Sequence, residues 1–125
     1  RLSGDWDVAV QAFPFPSSGE EGGAPRYPMM LILIDEDSDT VLDLAITEQW
    51  EGEPYLNFAR ILLAKIAEYG RPAHLLCANT RTLALLGTLC GKLGVPARQE
   101  SDLPQLYEAL DSMLNFMREH PDGDE

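Results

Sequence analysis

The chain has 125 residues, 45% of them hydrophobic and 24% charged, a length and balance that predict one globular domain and exclude a disordered, collagenous or coiled-coil chain. Twenty-one acidic side chains against nine basic ones leave a net charge of −12, which opposes general binding to nucleic acid or to anionic membranes. The charge is segregated: residues 1–53 carry twelve acidic and two basic side chains, 54–98 one and six, and 99–125 eight and one. The basic middle third reads as solvated helix faces paired with acidic neighbours, with an anion-binding surface as the other reading.

In chain order, Trp6, Val8, Val10 and Ala12 alternate with Asp5, Asp7, Ala9 and Gln11, the period-two pattern of a half-buried strand over Asp5 to Phe13. Phe13-Pro14-Phe15-Pro16 ends it, and the Ser, Gly, Glu and Pro that follow predict a mobile loop over 14–26. Met29 to Ile34 is wholly apolar, as expected of a strand covered on both faces. It is also the longest strongly apolar run, far short of the roughly twenty residues that span a bilayer. Asp35-Glu36-Asp37-Ser38-Asp39 then makes an acidic hairpin turn into a third strand, Thr40 to Thr47.

Gly52-Glu53-Pro54 opens a helix with a buried stripe of Tyr55, Phe58, Leu62, Ile66 and Tyr69, stopped by Gly70 and Pro72. His74 to Ala78 is a short buried strand between two helices and is therefore expected to be parallel to its neighbour. Asn79 or Thr80 caps a second helix, which packs through Leu83, Leu86, Leu89, Cys90 and Leu93 and ends at Gly94 and Pro96. Gly87 and Gly91 share a face of it, a spacing that predicts close approach to a neighbour. Ala97 to Glu100 forms a short edge strand. Asp102 and Gln105 have the spacing of a capping box for a third helix, whose stripe is Leu103, Leu106, Leu110, Met113, Leu114 and Met117, to about Arg118. Residues 119–125 read as a flexible acidic tail.

The result is an α/β domain over 1–118, order βββαβαβα, with a mixed sheet of about five strands covered by three helices. This order resembles the ribonuclease H-like fold, in which three antiparallel strands precede helix-linked parallel ones. Fold alone does not supply function, but a metal-dependent nuclease of that fold needs carboxylates converging on two divalent ions, usually one on the first strand and another at the end of the fourth. Asp7 and Glu68 are the candidate metal ligands here. The pattern is broken at Cys77-Ala78-Asn79, where the fourth strand ends without an acid, and Asp7 reads more simply as a solvated strand residue.

Other chemistries are weaker. Asp35, Asp37 and Asp39 imitate the start of a calcium loop, but Thr40 and Ile46 stand where glycine and glutamate are required. Cys77 and Cys90 form no CxxC pair and lie near no histidine cluster, so they read as reduced core thiols without zinc or disulfide. His74 and Cys77 point to opposite faces of a strand and form no nucleophile–base pair. In open α/β sheets, ligands favour the carboxyl ends of parallel strands, which makes Asn79, Thr80, Arg81 and Thr82 the candidate anion-binding residues, against simple helix capping. Trp6 suits the core, whereas Trp50, in a polar connection, is the interface candidate.

Trp6-Asp7-Val8 with Phe13-Pro14, Tyr27-Pro28 before an apolar strand ending in Asp35, and Arg71-Pro72 before another strand together resemble an uncharacterised bacterial family known only as a domain of unknown function. That resemblance implies a cytoplasmic bacterial module and carries over no catalytic residue. The expectation is a noncatalytic domain that binds a protein partner or a small anionic ligand and needs no cofactor. The alternative is a small-ligand or metal-dependent hydrolase site at the end of the fourth strand.

Overall fold

The computed structural model describes residues 4–15, 27–47 and 54–119. The predicted loop from residue 16 to 26, Trp50 and the tail beyond Glu119 lie outside the described residues. The elements are β1 (Trp6–Ala12), β2 (Met29–Asp35), β3 (Thr40–Thr47), α1 (Pro54–Tyr69), β4 (Leu75–Cys77), α2 (Thr80–Leu93), β5 (Ala97–Gln99) and α3 (Pro104–Glu119). The five strands form one mixed sheet in the order β3-β2-β1-β4-β5. β1 to β3 are joined antiparallel, and β4 and β5 continue from β1 in parallel. No described helix is long and apolar enough to cross a membrane.

β1 is therefore the central strand, and this corrects the half-buried reading. Both of its faces are covered over Trp6 to Val10. Trp6, Val8 and Val10 join Leu31 and Leu33 of β2 under Phe58 and Leu62 of α1 and Leu86 and Cys90 of α2. Ala9 faces the other way, with Met30, Ile32, Ile34 and Leu76, under Leu103, Leu106 and Leu110 of α3. Two helices thus cover one face and one helix the other.

The β2–β3 hairpin contains a bulge. Leu33 stands opposite Asp43 but Ile34 opposite Val41, so Leu42 has no partner across the ladder. The extra residue brings Val41 onto the same face as Leu44 and Ile46, all opposite the buried residues Ile34, Ile32 and Met30. Asp35 fastens the turn, its Oδ2 accepting from the Ser38 N–H at 3.2 Å and the Ser38 hydroxyl at 2.7 Å. Asp39 completes it at φ 57°.

Three helix details differ from the pattern in the sequence. Tyr55 and Tyr69, at the ends of the α1 stripe, are exposed, and the Lys65 ammonium lies 5.9 Å from the Tyr69 ring centroid. Gly91 faces open space and Gly87 only its own helix's Leu83, so neither makes the close approach their spacing suggested. Gln105 does not close a capping box: its Nε2 reaches across to the Glu36 carbonyl at 3.1 Å and Asp39 Oδ1 at 3.0 Å, tying α3 to the hairpin turn. α2 ends at Gly94, whose φ of 74° lets its N–H bond back to Cys90 and Gly91.

Candidate functional site

The end of β4 is the place where the fold favours a ligand. β4 has only three residues beside a seven-residue β1, so β1 outruns it and leaves the main chain of Val10 without a strand partner on that side. Thr82, fully buried, supplies one: its Oγ1 accepts from the Val10 N–H at 2.9 Å. Asn79 caps α2, its Oδ1 accepting from the Thr82 N–H at 2.8 Å and the Thr82 hydroxyl at 2.8 Å, while its Nδ2 leans toward the Val10 carbonyl at 3.4 Å. Thr80 Oγ1 donates to Gln99 at 3.2 Å, and Arg81 rests against Met29 Sδ at 3.9 Å. The four residues do come together, but their polar atoms are largely engaged by the protein itself. They join β1, α2 and β5.

Asp7 lies elsewhere. It pairs with Leu76, three residues before Asn79, an offset of about 10 Å along a strand. Far from being solvated, it is completely buried, on the face that α3 covers. Neither carboxyl oxygen finds a donor, and Asp35 Oδ1 nearby is likewise buried without one. Desolvation, a shared hydrogen bond with the Glu36 carboxylate, and repulsion from Glu36 and Asp5 push the Asp7 carboxyl up to about 8. Burial therefore favours its neutral form. At the start of β1, Asp5 Oδ1 meets His74 Nδ1 at 2.9 Å.

Glu68 is on α1, across the sheet from Asp7, exposed and paired with Lys65 at 3.2 Å. Asp7, Glu68 and Asn79 thus do not share a pocket, and the described residues hold no cluster of three or more His, Cys, Asp or Glu side chains able to take a metal ion. The residues present do not fit a two-metal centre: one carboxyl is sealed, one belongs to the far face, and the amide that replaces the third is committed to a helix cap. The thiols are equally unsuited to chemistry. Burial raises Cys77 to about 12, helped by its neighbour Cys90, which burial itself raises to about 11.

Residues 1–114 match the family described as "Domain of unknown function (DUF6930)". The chain belongs to this family. No curated protein matches it. Among solved structures it is similar to the HTLV-2 integrase catalytic core domain in complex with magnesium (dimeric form), with a TM-score of 0.63 at 12% identity over 94% of this chain and 71% of that one. It is also similar to a chain of the simian T-cell lymphotropic virus intasome in complex with the PP2A regulatory subunit B56 gamma (0.60, 17% identity, 97% and 43% covered). The catalytic core domain of BIV integrase is a further neighbour (0.56, 16% identity, 86% and 62% covered). Integrase cores have the ribonuclease H-like fold, and this DUF6930 domain has it too.

The surface feature that the sequence concealed is on β3. Val41, Leu44 and Ile46 are 46%, 41% and 47% exposed, on the α3 face of an edge strand. The sequence showed them as ordinary strand residues, since neither the edge position nor the bulge that aligns Val41 with the other two has a local signature.

Proposed function

We propose that this domain is a noncatalytic binding and protein-interaction module of a bacterial cytoplasmic protein, built on a nuclease-type fold. The observation that carries the reading is the position of Asp7: the carboxyl on the central strand is sealed beneath α3 and remote from the end of β4 where the fold would use it. The exposed apolar row on β3 supports an interaction role, because such a row on a sheet edge marks a contact surface. Free, buried Cys77 and Cys90 suit a reducing compartment, and the bacterial assignment rests on the family resemblance.

The test is turnover. The purified chain, with Mg²⁺ or Mn²⁺ and single- and double-stranded nucleic acids or phosphate esters, is expected to give no product above the blank. Metal-dependent cleavage abolished by Asp7→Asn would overturn the proposal. A saturable rise in Tm with a phosphorylated metabolite, lost in Arg81→Ala, would move the function to the end of β4 instead.

A further inference from the structure

The β3 edge has an unusual chemistry for an exposed strand. Sheets usually protect such an edge with lysine, proline or a short span. β3 runs for eight residues, Thr40-Val41-Leu42-Asp43-Leu44-Ala45-Ile46-Thr47, without lysine or proline and interrupted by the bulge at Leu42. Its one charge, Asp43, is directed to the α1 face, where Lys65 Nζ lies 4.0 Å away. On the α3 face the row Val41, Leu44 and Ile46 continues the buried layer of Met30, Ile32 and Ile34 into solvent. Among the described residues no strand pairs with the outer side of β3.

An open groove of about 280 Å³ lies between Val41, at one end of this row, and α3. Ile34, Val41 and Ala109 make its floor, and the charged side chains lining it, Asp39 and Glu108, are both acidic. Of the cations of the middle third, Arg60 lines a cavity with Ala45, Ile46 and Thr47 and Lys65 lies beside Asp43, both from α1, while Arg71, Arg81, Lys92 and Arg98 belong to α2, β5 and the loops beside them. The groove is therefore lined by apolar side chains beside the polar Gln105 and Ser112, and its charge is negative.

We propose that β3 and this groove receive an extended cationic segment of another protein, added to the sheet as a further strand whose side chains alternate between apolar and basic. This rests on the interaction reading above and names its surface and partner chemistry. The strand's main chain pairs with the outer side of β3 between Val41 and Ile46, its apolar side chains cover Val41, Leu44 and Ile46, and its lysines or arginines reach Asp39 and Glu108. A second copy of the chain is the poorer occupant, since it would bring Asp39, Asp43 and Glu108 against their own kind.

The experiment is selection of a phage-displayed random peptide library on the whole 125-residue chain, with the enriched peptides synthesised and titrated by fluorescence anisotropy. Wild type is compared with Val41→Lys/Ile46→Lys and with Glu108→Lys, substitutions at solvent-facing positions whose folding is checked by circular dichroism and Tm. The expected peptides alternate apolar residues with Lys or Arg, lose roughly tenfold or more of their affinity in both variants, weaken with salt, and slow amide exchange along residues 40–47. No enrichment, or enrichment of acidic sequences, overturns the proposal. Peptides that bind the variants as well as wild type also overturn it but leave the interaction reading intact, whereas turnover in the assay above removes that reading. A dimer at neutral pH that Val41→Lys/Ile46→Lys dissolves overturns it too, with a second copy as the occupant.

Discussion

Asp7 shows how one buried proton couples the fold to pH. Its carboxyl ionises at 3.8 in an exposed chain and at about 8 in the folded one, with burial the largest cause and the Glu36 carboxylate the next. The folded state binds the proton more tightly than the unfolded state, so Asp7's contribution is fully present below about pH 4. It is lost as pH rises through about 8, at a slope of about 1.4 kcal/mol per unit and to a total of about 6 kcal/mol. Asp7→Asn keeps the size of the side chain and removes the ionisation. Urea unfolding is expected to find this variant more stable than wild type at about pH 8, with the gap closing toward about pH 4. A gap of constant size would show that Asp7 does not titrate across that range. Nothing in the alternation of residues 5–12 revealed this burial, because Asp7 occupies the polar phase of a strand pattern. Only the placement of β1 at the centre of the sheet, with α3 above it, decides that this phase is covered too.

At the scale of elements, most of the architecture was legible because its signals are local. Pro54 at the start of α1, Asn79 and Gly94 at the ends of α2, and the all-apolar β2 each carry their own physical reason to be where they are. The misreadings share one cause: Gln105, Gly91, Tyr55 and Tyr69 were judged from spacing within a helix, whereas their surroundings are set by other elements. The candidate residues after β4 were legible as a group, Asn79 as a cap among them, but their main task, completing a central strand 72 positions away in sequence, was not. That task gives a prediction. Thr82→Val keeps the shape of the side chain but leaves the buried Val10 N–H without an acceptor, and is expected to cost about 2 kcal/mol in urea unfolding. Thr82→Ser retains the hydroxyl and should cost no more than about 1 kcal/mol for the lost methyl. Equal losses in the two variants would mean that packing, rather than the hydrogen bond, holds α2 to β1.

For the whole molecule, the charge segregation visible along the sequence becomes a division in space. α3 and the β2–β3 hairpin carry Asp35, Glu36, Asp37, Asp39, Asp43, Glu108, Asp111 and Glu119 against Arg118, while the helices on the opposite face are mainly basic. A strand edge with an apolar row ought to be an aggregation hazard, and the negative field around it opposes pairing of two copies while leaving it open to a cationic chain. The protection is electrostatic, so it should fail where the charge is lost. Near the pI of about 4.4 the net charge vanishes, and sedimentation is expected to detect association of a species that is monomeric at neutral pH. Because β3 supplies the contact, Val41→Lys/Ile46→Lys should remain monomeric at the same net-charge condition, reached at its own slightly higher pI. Association of the variant to the same extent would assign the contact to another face and show that the acidic field protects something other than β3.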